Sequence, residues 1–356
     1  VALMGVNATA DATNRLAVSS PASLFNHEGA GHQIKINKNT AGDTGCVLFQ
    51  TGFSGRAEFG LAGDDNFHVK VSPDGSVWHE ALVIDRTTGL ATFPLTPRRE
   101  VLTADRTYYV RSDGNDGNDG LSNTSGGAFL TIQKAIDVVG ALDISIHTVT
   151  IQVADGTYTG GCAVSGPWVG SGTVILQGNP ATPANCVLSV AGTAIRVAGS
   201  GRLTVRGFRI TTTTSAGYAI QASSNSVISI TGGMNYGALS GVNADHIRAD
   251  MGSVIAITAG YTISGNARYH VHCLMGSIVE TAGVNVTLSG TPSFSQGYLQ
   301  ASLSSCVRAF SQNFSGSATG RRYAIDTNSV VFTNGGGASY FPGSSAGTTA
   351  TGGQYV

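Results

Sequence analysis

The amino-acid sequence predicts a mostly β chain whose larger part, from about Thr148 to Thr333, winds as a β-helical solenoid. Three observations predict it. Gly supplies 49 of the 356 residues and charged residues only 12 %, against usual shares of about 7 % and about 25 %. With abundant Ser, Thr and Asn, this favours short strands joined by turns over helices. The dipeptides Gly201-Arg202, Asn225-Ser226, Gly252-Ser253, Gly276-Ser277, Ser304-Ser305 and Asn328-Ser329 recur at spacings of 24, 27, 24, 28 and 24. Gly or Asn leads five of the six, as a corner of left-handed backbone demands. After the last five corners, Ile228/Ile230, Ile255/Ile257, Val279/Thr281, Val307/Ala309 and Val331/Thr333 alternate with Ser229, Ala256, Glu280, Arg308 and Phe332. A fixed phase from repeat to repeat means one wall of a coil, apolar side in. The turn at Arg202 fits that phase poorly.

At this length two domains are expected. Residues 1–98 hold most of the lysines, including Lys35, Lys38 and Lys70, and alternate as strands, as in Phe67-His-Val-Lys-Val71, with turns at Pro73-Asp-Gly75 and Thr88-Gly89. They predict a small β domain. Pro94, Pro97 and Arg98-Arg-Glu100 mark a linker, since prolines so spaced interrupt strand pairing. The second domain, 99–334, opens with the strand Thr107–Arg111 and the loop Asp113-Gly-Asn-Asp-Gly-Asn-Asp-Gly120. In Phe129–Val139 the apolar positions Ile132, Ala135, Ile136 and Val139 keep helical spacing. This predicts a short amphipathic helix that caps the open apolar end of the solenoid.

A second column precedes the corners. Ile220, Ile247, Val271 and Leu299, with Ala222, Ala249, Cys273 and Ala301, are expected to point inward. Gln221, Arg248, His272 and Gln300, and beside them Ala219, His246, His270 and Tyr298, are expected to point outward in ladders stacked about 4.8 Å apart. The tail 335–356 is rich in Gly, Ser and Thr. It is expected to be disordered or ordered only against a neighbour.

Net charge is −1 with pI near 6.8, which gives no field to attract nucleic acid or an anionic membrane. No stretch reaches the roughly 18 apolar residues of a membrane span, and no secretion signal opens the chain. The start at Val1 rather than Met leaves a preceding segment open. The five cysteines, Cys46, Cys162, Cys186, Cys273 and Cys306, lack metal or redox spacing and read as buried free thiols.

Asn26-His-Glu-Gly-Ala-Gly-His-Gln-Ile-Lys-Ile-Asn-Lys38, Phe53-Ser-Gly-Arg-Ala-Glu-Phe-Gly-Leu-Ala-Gly63 and Val69-Lys-Val-Ser-Pro-Asp-Gly75 resemble the conserved module of tail fibre proteins of bacterial prophages and gene transfer agents. Tyr108-Tyr-Val-Arg-Ser-Asp-Gly114 with Thr131-Ile-Gln-Lys-Ala-Ile136 resembles the entry to a right-handed, single-stranded parallel β-helix of the pectate-lyase-like superfamily. Tyr340-Phe-Pro-Gly343 and Gly352-Gly-Gln-Tyr355 are similar to the ends of the same fibre proteins. The resemblance implies a homotrimeric, receptor-binding fibre or spike that recognises bacterial surface polysaccharide for host attachment. It also implies contact with other tail or baseplate proteins through the N-terminal part, and a place in the tail of a virion or phage-like particle assembled in the bacterial cytoplasm.

Similar folds include polysaccharide lyases and spike glycosidases, so an acid pair matters. After Asp155 only Asp245, Asp250, Glu280 and Asp326 remain. In one strand Asp245 and Asp250 stand up to about 16 Å apart, against roughly 5–9.5 Å for a hydrolase pair, and they pair only if the chain folds sharply between them. Asp250 and Asp326 lie about 14 Å apart in stacked coils. No catalytic residue, cofactor or metal is assigned. The Asp113–Gly120 loop offers hard oxygens but lacks the distal Glu of an EF-hand and reads as an Asx-turn loop. Arg196, Arg202, Arg206 and Arg209 are candidates to meet an acidic capsule or to form a solvated or subunit-facing strip. His246, His270 and His272 read as an outward polar ladder rather than metal ligands.

The candidate glycan-binding residues are therefore Gln221, His246, Arg248, His270, His272, Tyr298 and Gln300. The same residues can instead face a trimer axis. The alternatives to a glycan-binding adhesin are a polysaccharide depolymerase with an intersubunit active site and a structural fibre spacer.

Overall fold

The computed structural model describes residues 2–94, 99–214 and 217–356. It divides into two compact units, Val1–Arg98 and Arg99–Val356. In the first, Thr44–Thr51, Ser54–Ala62, Phe67–Val71, His79–Ile84 and Ala91–Thr92 pair in chain order as an antiparallel sheet. Met4–Val6 and Leu16–Val18 form a separate parallel pair. The turns use the expected chemistry: Asp74 Oδ1 accepts the N–H groups of Ser76 and Val77 at 2.8 Å, and Gly75 takes the left-handed φ of 84°. Directly paired residues of an antiparallel sheet share a face. Val47, Phe59, Val69 and Leu82 therefore line one side, with Phe49 and Phe67 in ring contact with Phe59.

The second unit is the expected parallel β-solenoid, each coil built from consecutive chain. Three sheets of ten, nine and seven strands run along it. The ten-stranded sheet includes Val227–Ile230, Val254–Ile257, Ile278–Glu280, Cys306–Arg308 and Val330–Phe332 in register. The seven-stranded sheet includes Asn235–Leu239 and Tyr261–Ile263. The nine-stranded sheet includes Ile195–Val197, Ile220–Ala222, Ile247–Ala249, Ala267–Leu274 and Ser293–Ser302. All ten positions expected inward after the corners are buried, as are both inward columns before them. Each fully buried Val, Leu or Ile contributes about 1.5–3 kcal/mol, so the lumen is the stabilising core.

The corners are tighter than a single glycine implies. Two successive residues take left-handed φ at each: Ser224 and Asn225, Met251 and Gly252, Met275 and Gly276, Leu303 and Ser304, Thr327 and Asn328. Non-glycine residues there cost roughly 1–2 kcal/mol each. Hydrogen bonds from corner to corner offset this, from Asn225 N to Met251 O, Gly252 N to Met275 O and Gly276 N to Leu303 O, each 2.9 Å. Beneath them runs a buried serine ladder. Ser226 N donates to Ser253 Oγ and Ser253 N to Ser277 Oγ, both at 3.1 Å, and Ser305 N to Ser329 Oγ at 3.0 Å.

The misfit at Arg202 is a shift of one residue. Arg202 pairs with Val227 and Leu203 with Ile228, so Gly201 occupies the serine position and Gly199-Ser200 carry the left-handed pair.

The capping helix spans Ile132–Gly140, with Thr131 accepting from Lys134 N at its N-cap and Ile132, Ala135, Ile136 and Val139 buried. It also closes a sheet edge. The Gln133 carboxamide accepts from Ala163 N at 2.7 Å and donates to Ala163 O at 3.2 Å, supplying the partners a preceding strand would give to Cys162–Val164. At the other end, the tail is ordered within the single chain, contrary to expectation. Thr348–Thr349 pairs with Ala324 and Ile325, and Gln354–Tyr355 with Val330 and Val331. Phe341 is buried, and the Tyr355 ring stacks on Tyr323 at 4.3 Å.

Candidate functional site

The outward column of the nine-stranded sheet reads Arg196, Gln221, Arg248, His272, Gln300, each directly paired with the next. It exists because every strand there has an apolar residue on both sides of one polar residue, as in Ile220-Gln221-Ala222 and Ile247-Arg248-Ala249. Four steps between five rungs at strand spacing make it about 19 Å long.

Carboxylates lock its middle. Arg248 Nε donates to Asp250 Oδ2 at 2.8 Å, and Gln221 Nε2 donates to the same oxygen at 3.1 Å. Arg268 forks onto Asp245, Nε to Oδ1 at 2.8 Å and Nη2 to Oδ2 at 2.6 Å. His272 Nδ1 lies 2.9 Å from Asp245 Oδ2, 3.1 Å from Arg248 Nη1 and 3.0 Å from Arg268 Nη2. Two tyrosine rings support the guanidinium groups, Tyr218 under Arg248 and Tyr269 under Arg268. Tyr269 also packs 4.9 Å from His272.

Burial pushes the Asp245 carboxyl up, but the bonds from His272 and Arg268 outweigh it and hold Asp245 below its usual range. It is a fixed anion, unsuited to donate a proton. Burial also pushes His272 down, against the pull of Asp245 and with the repulsion of Arg248 and Arg268. His272 is thus a neutral imidazole whose Nε2 makes no hydrogen bond among the described residues. Arg196 is exposed, and neither it nor the Gln300 amide has a side-chain partner among the described residues.

The neighbouring column corrects the expectation. His246, His270 and Tyr298, expected outward, are buried in the lumen, and so is Ala219. They sit on the segments leading from the seven-stranded into the nine-stranded sheet. There two successive residues face inward, His246 with Ile247 and His270 with Val271, so strict alternation fails at the bend. Buried polar atoms are costly to leave unmatched, and each step of the row of two imidazoles finds a partner. Tyr261 Oη lies 2.9 Å from His270 Nε2, His270 Nδ1 3.2 Å from His246 Nδ1, and His246 Nε2 2.9 Å from Gly237 O. Because a carbonyl only accepts, His246 carries its proton on Nε2, His270 donates from Nδ1, and Tyr261 donates to His270. Tyr236, Phe294 and Tyr298 pack around the pair. These residues are core, not a surface that a sugar meets.

The acids also differ from expectation. The chain does bend at His246, and Asp245 and Asp250 both reach Arg248, Asp245 at 3.6 Å from Nη1. They clamp one cation rather than flank a scissile bond. Asp245, Asp250, Arg268 and Tyr269 were not singled out as binding residues from the sequence. The coil period was the available signal, since Asp245 and Tyr269 precede His246 and His270 by one residue.

The four arginines of the cationic run fall on three sheets: Arg196 on the nine-stranded, Arg202 and Arg206 on the ten-stranded, and Arg209 on the seven-stranded. They form no single strip. In the Asp113–Gly120 loop, Asn115 and Asp119 accept the N–H groups two residues on, and Asp116 accepts from Leu130 N, Thr131 N and Thr131 Oγ1. It is an Asx-turn loop tied to the capping helix. Among the described residues no group of three or more His, Cys, Asp or Glu is placed to hold a metal ion, and no helix is long and apolar enough to cross a membrane. All five cysteines are free; Cys162, Cys186 and Cys273 are buried, Cys46 and Cys306 only partly.

With the fold a parallel β-solenoid carrying a fixed polar ladder, the chain was compared with known proteins. No family model, curated protein or solved structure matches it.

Proposed function

We propose that the chain is the receptor-binding part of a phage-type tail fibre or spike, a homotrimer that grips bacterial surface polysaccharide for host attachment. The observation that carries the reading is the ladder Arg196–Gln221–Arg248–His272–Gln300, whose middle is held by Asp245 and Asp250 while neither end has a side-chain partner among the described residues. A rigid row of donors and acceptors at about 4.8 Å steps meets an extended sugar chain without the entropy cost of ordering loops. The resemblance of the segments Asn26–Lys38, Phe53–Gly63 and Val69–Gly75 and of the chain's end to tail fibre proteins supports the particle context, with the N-terminal unit meeting other tail or baseplate proteins.

The test is purified protein against bacterial envelope polysaccharide, scoring both binding and chain shortening. Binding without shortening is expected. Gln300→Ala, which breaks no side-chain bond, should weaken binding by about threefold to tenfold, the worth of one hydrogen bond. Arg248→Ala is a poorer probe because it also strips a partner from the buried Asp250. Shortening of the polysaccharide would replace this reading with a depolymerase, and absence of binding would leave a structural spacer.

A further inference from the structure

Resting on that reading, we propose that the ladder takes an acidic polysaccharide, with Arg321 and Arg196 as the anchors for its anionic groups. Arg268 is committed to Asp245 and Arg248 to Asp250, which accounts for both carboxylates of the site. Arg196 on that sheet, and Arg321 in the short link between Thr319–Gly320 and Tyr323–Ile325, remain without one among the described residues, whereas the neighbouring Arg322 donates to Ser345 O. Arg196 is exposed at one end and makes no side-chain hydrogen bond or ion pair among the described residues.

Arg321 stands at the other end. Its chain position stacks on Gly297, which stacks on Tyr269: Tyr269 pairs with Gly297, and Tyr298 N donates to Arg321 O at 2.8 Å. The absent side chain at Gly297 leaves Arg321 room to lie back toward Tyr269, to which it donates a hydrogen bond. Arg321 Nη1 donates to Thr348 Oγ1 at 3.4 Å on the exposed side, and no carboxylate forms an ion pair with the guanidinium among the described residues. An incoming carboxylate at the exposed Nη1 end supplies the missing counter-charge.

The neighbouring groups suit a sugar that carries such a charge. Among the described residues His272 Nε2 and the Gln300 amide are unpartnered, and the Gln221 oxygen is free while its nitrogen serves Asp250. They offer hydroxyl partners between the two anchors.

The experiment uses the full chain with polygalacturonate, with the same polymer after methyl esterification of its carboxyls, and with dextran, by titration calorimetry at low salt. Polygalacturonate should bind and both uncharged polymers should bind at least about tenfold more weakly, with affinity falling as salt rises. Arg321→Gln and Arg196→Gln should each lose about tenfold, while Arg321→Lys keeps part of the binding and all three variants keep the parent's circular dichroism and melting temperature. Equal binding of the esterified polymer, no binding of polygalacturonate, or unchanged binding by Arg321→Gln overturns the proposal. A protein that fails here yet binds an uncharged envelope polysaccharide still fulfils the glycan-binding reading, and one that binds neither fulfils neither.

Discussion

His246 and His270 hold their protons in one arrangement only. Burial pushes His246 from an ordinary 6.5 down to about 4 and His270 well below its usual value, and the chain from Tyr261 to Gly237 O leaves no acceptor for an added proton. The unfolded chain takes up protons below about 6.5 while the folded lumen does not. This contribution to stability is therefore full above that value and is lost as pH falls toward 4, by up to about 1.4 kcal/mol per pH unit for each histidine. His68 in the N-terminal unit has the opposite sign. Burial lowers its pKa, but hydrogen bonds to Asp64 and Glu80, at 2.7 and 2.6 Å, outweigh this and raise it. Its contribution is present below 6.5 and is lost as pH rises through the raised folded value. Hydrogen exchange compared at about pH 7.5 and about pH 5, corrected for intrinsic rates, should show protection falling in peptides around 236–273 and rising in those around 64–84. Replacing His246 and His270 together with Gln should flatten the first response, and His68→Gln the second. Acid shifts of equal sign in both regions would refute the assignment. None of these partners was legible in the sequence, because the outward placement of His246 and His270 rested on alternation carried one residue past the point where the chain turns.

At the scale of the element, the corner and its serine decide the coil. The serine of one coil accepts the N–H of the serine before it, so the cost of removing a hydroxyl depends on its place in the row. Ser253→Ala leaves the buried Ser226 N–H without its acceptor and should cost about 1–3 kcal/mol. Ser226 stands at the head of the row. Its hydroxyl donates to Ser223 O, and Gly201 in the preceding coil bonds Ala198 O instead. Ser226→Ala should therefore cost only about 0.5–1.5 kcal/mol. Urea unfolding of the two variants with unchanged m-values checks the order, and equal losses would show that the row is not a chain of dependent bonds. The corners were readable because Gly and Asn tolerate left-handed backbone and recur with the coil. The first was read one residue off because Gly201 stands where later coils have serine, so matching glycine to glycine displaced the register. The capping helix was readable in full, its four buried residues being those of its 3.6-residue period, whereas the sheet-closing role of Gln133 depends on a contact thirty residues away.

For the whole molecule, the solenoid was legible from period and composition, and the final coil was not. Its strands are two residues each, Thr348–Thr349 and Gln354–Tyr355, too short to show alternation, and their order comes from pairing with the coil before them. What the lumen does not bury argues for assembly. On the ten-stranded sheet Val227, Val254, Ile278, Cys306 and Val330 stack as one outward apolar row, beside the exposed corner residues Met251, Met275 and Leu303. In the N-terminal unit, Phe49 is 52 % and Phe59 40 % exposed on one face of a sheet with little core of its own. Monomers rarely leave continuous apolar patches of this kind in water, and closed rotational symmetry lets identical chains cover the same patch on each copy. Sedimentation equilibrium at micromolar concentration should give the mass of three chains. Ile278→Asp and Phe59→Asp, each placing a charge where a neighbour would cover it, should shift the population toward monomer with circular dichroism unchanged, because neither side chain belongs to the buried core of its own unit. A wild-type protein that sediments as a single chain would show that these rows are tolerated in water.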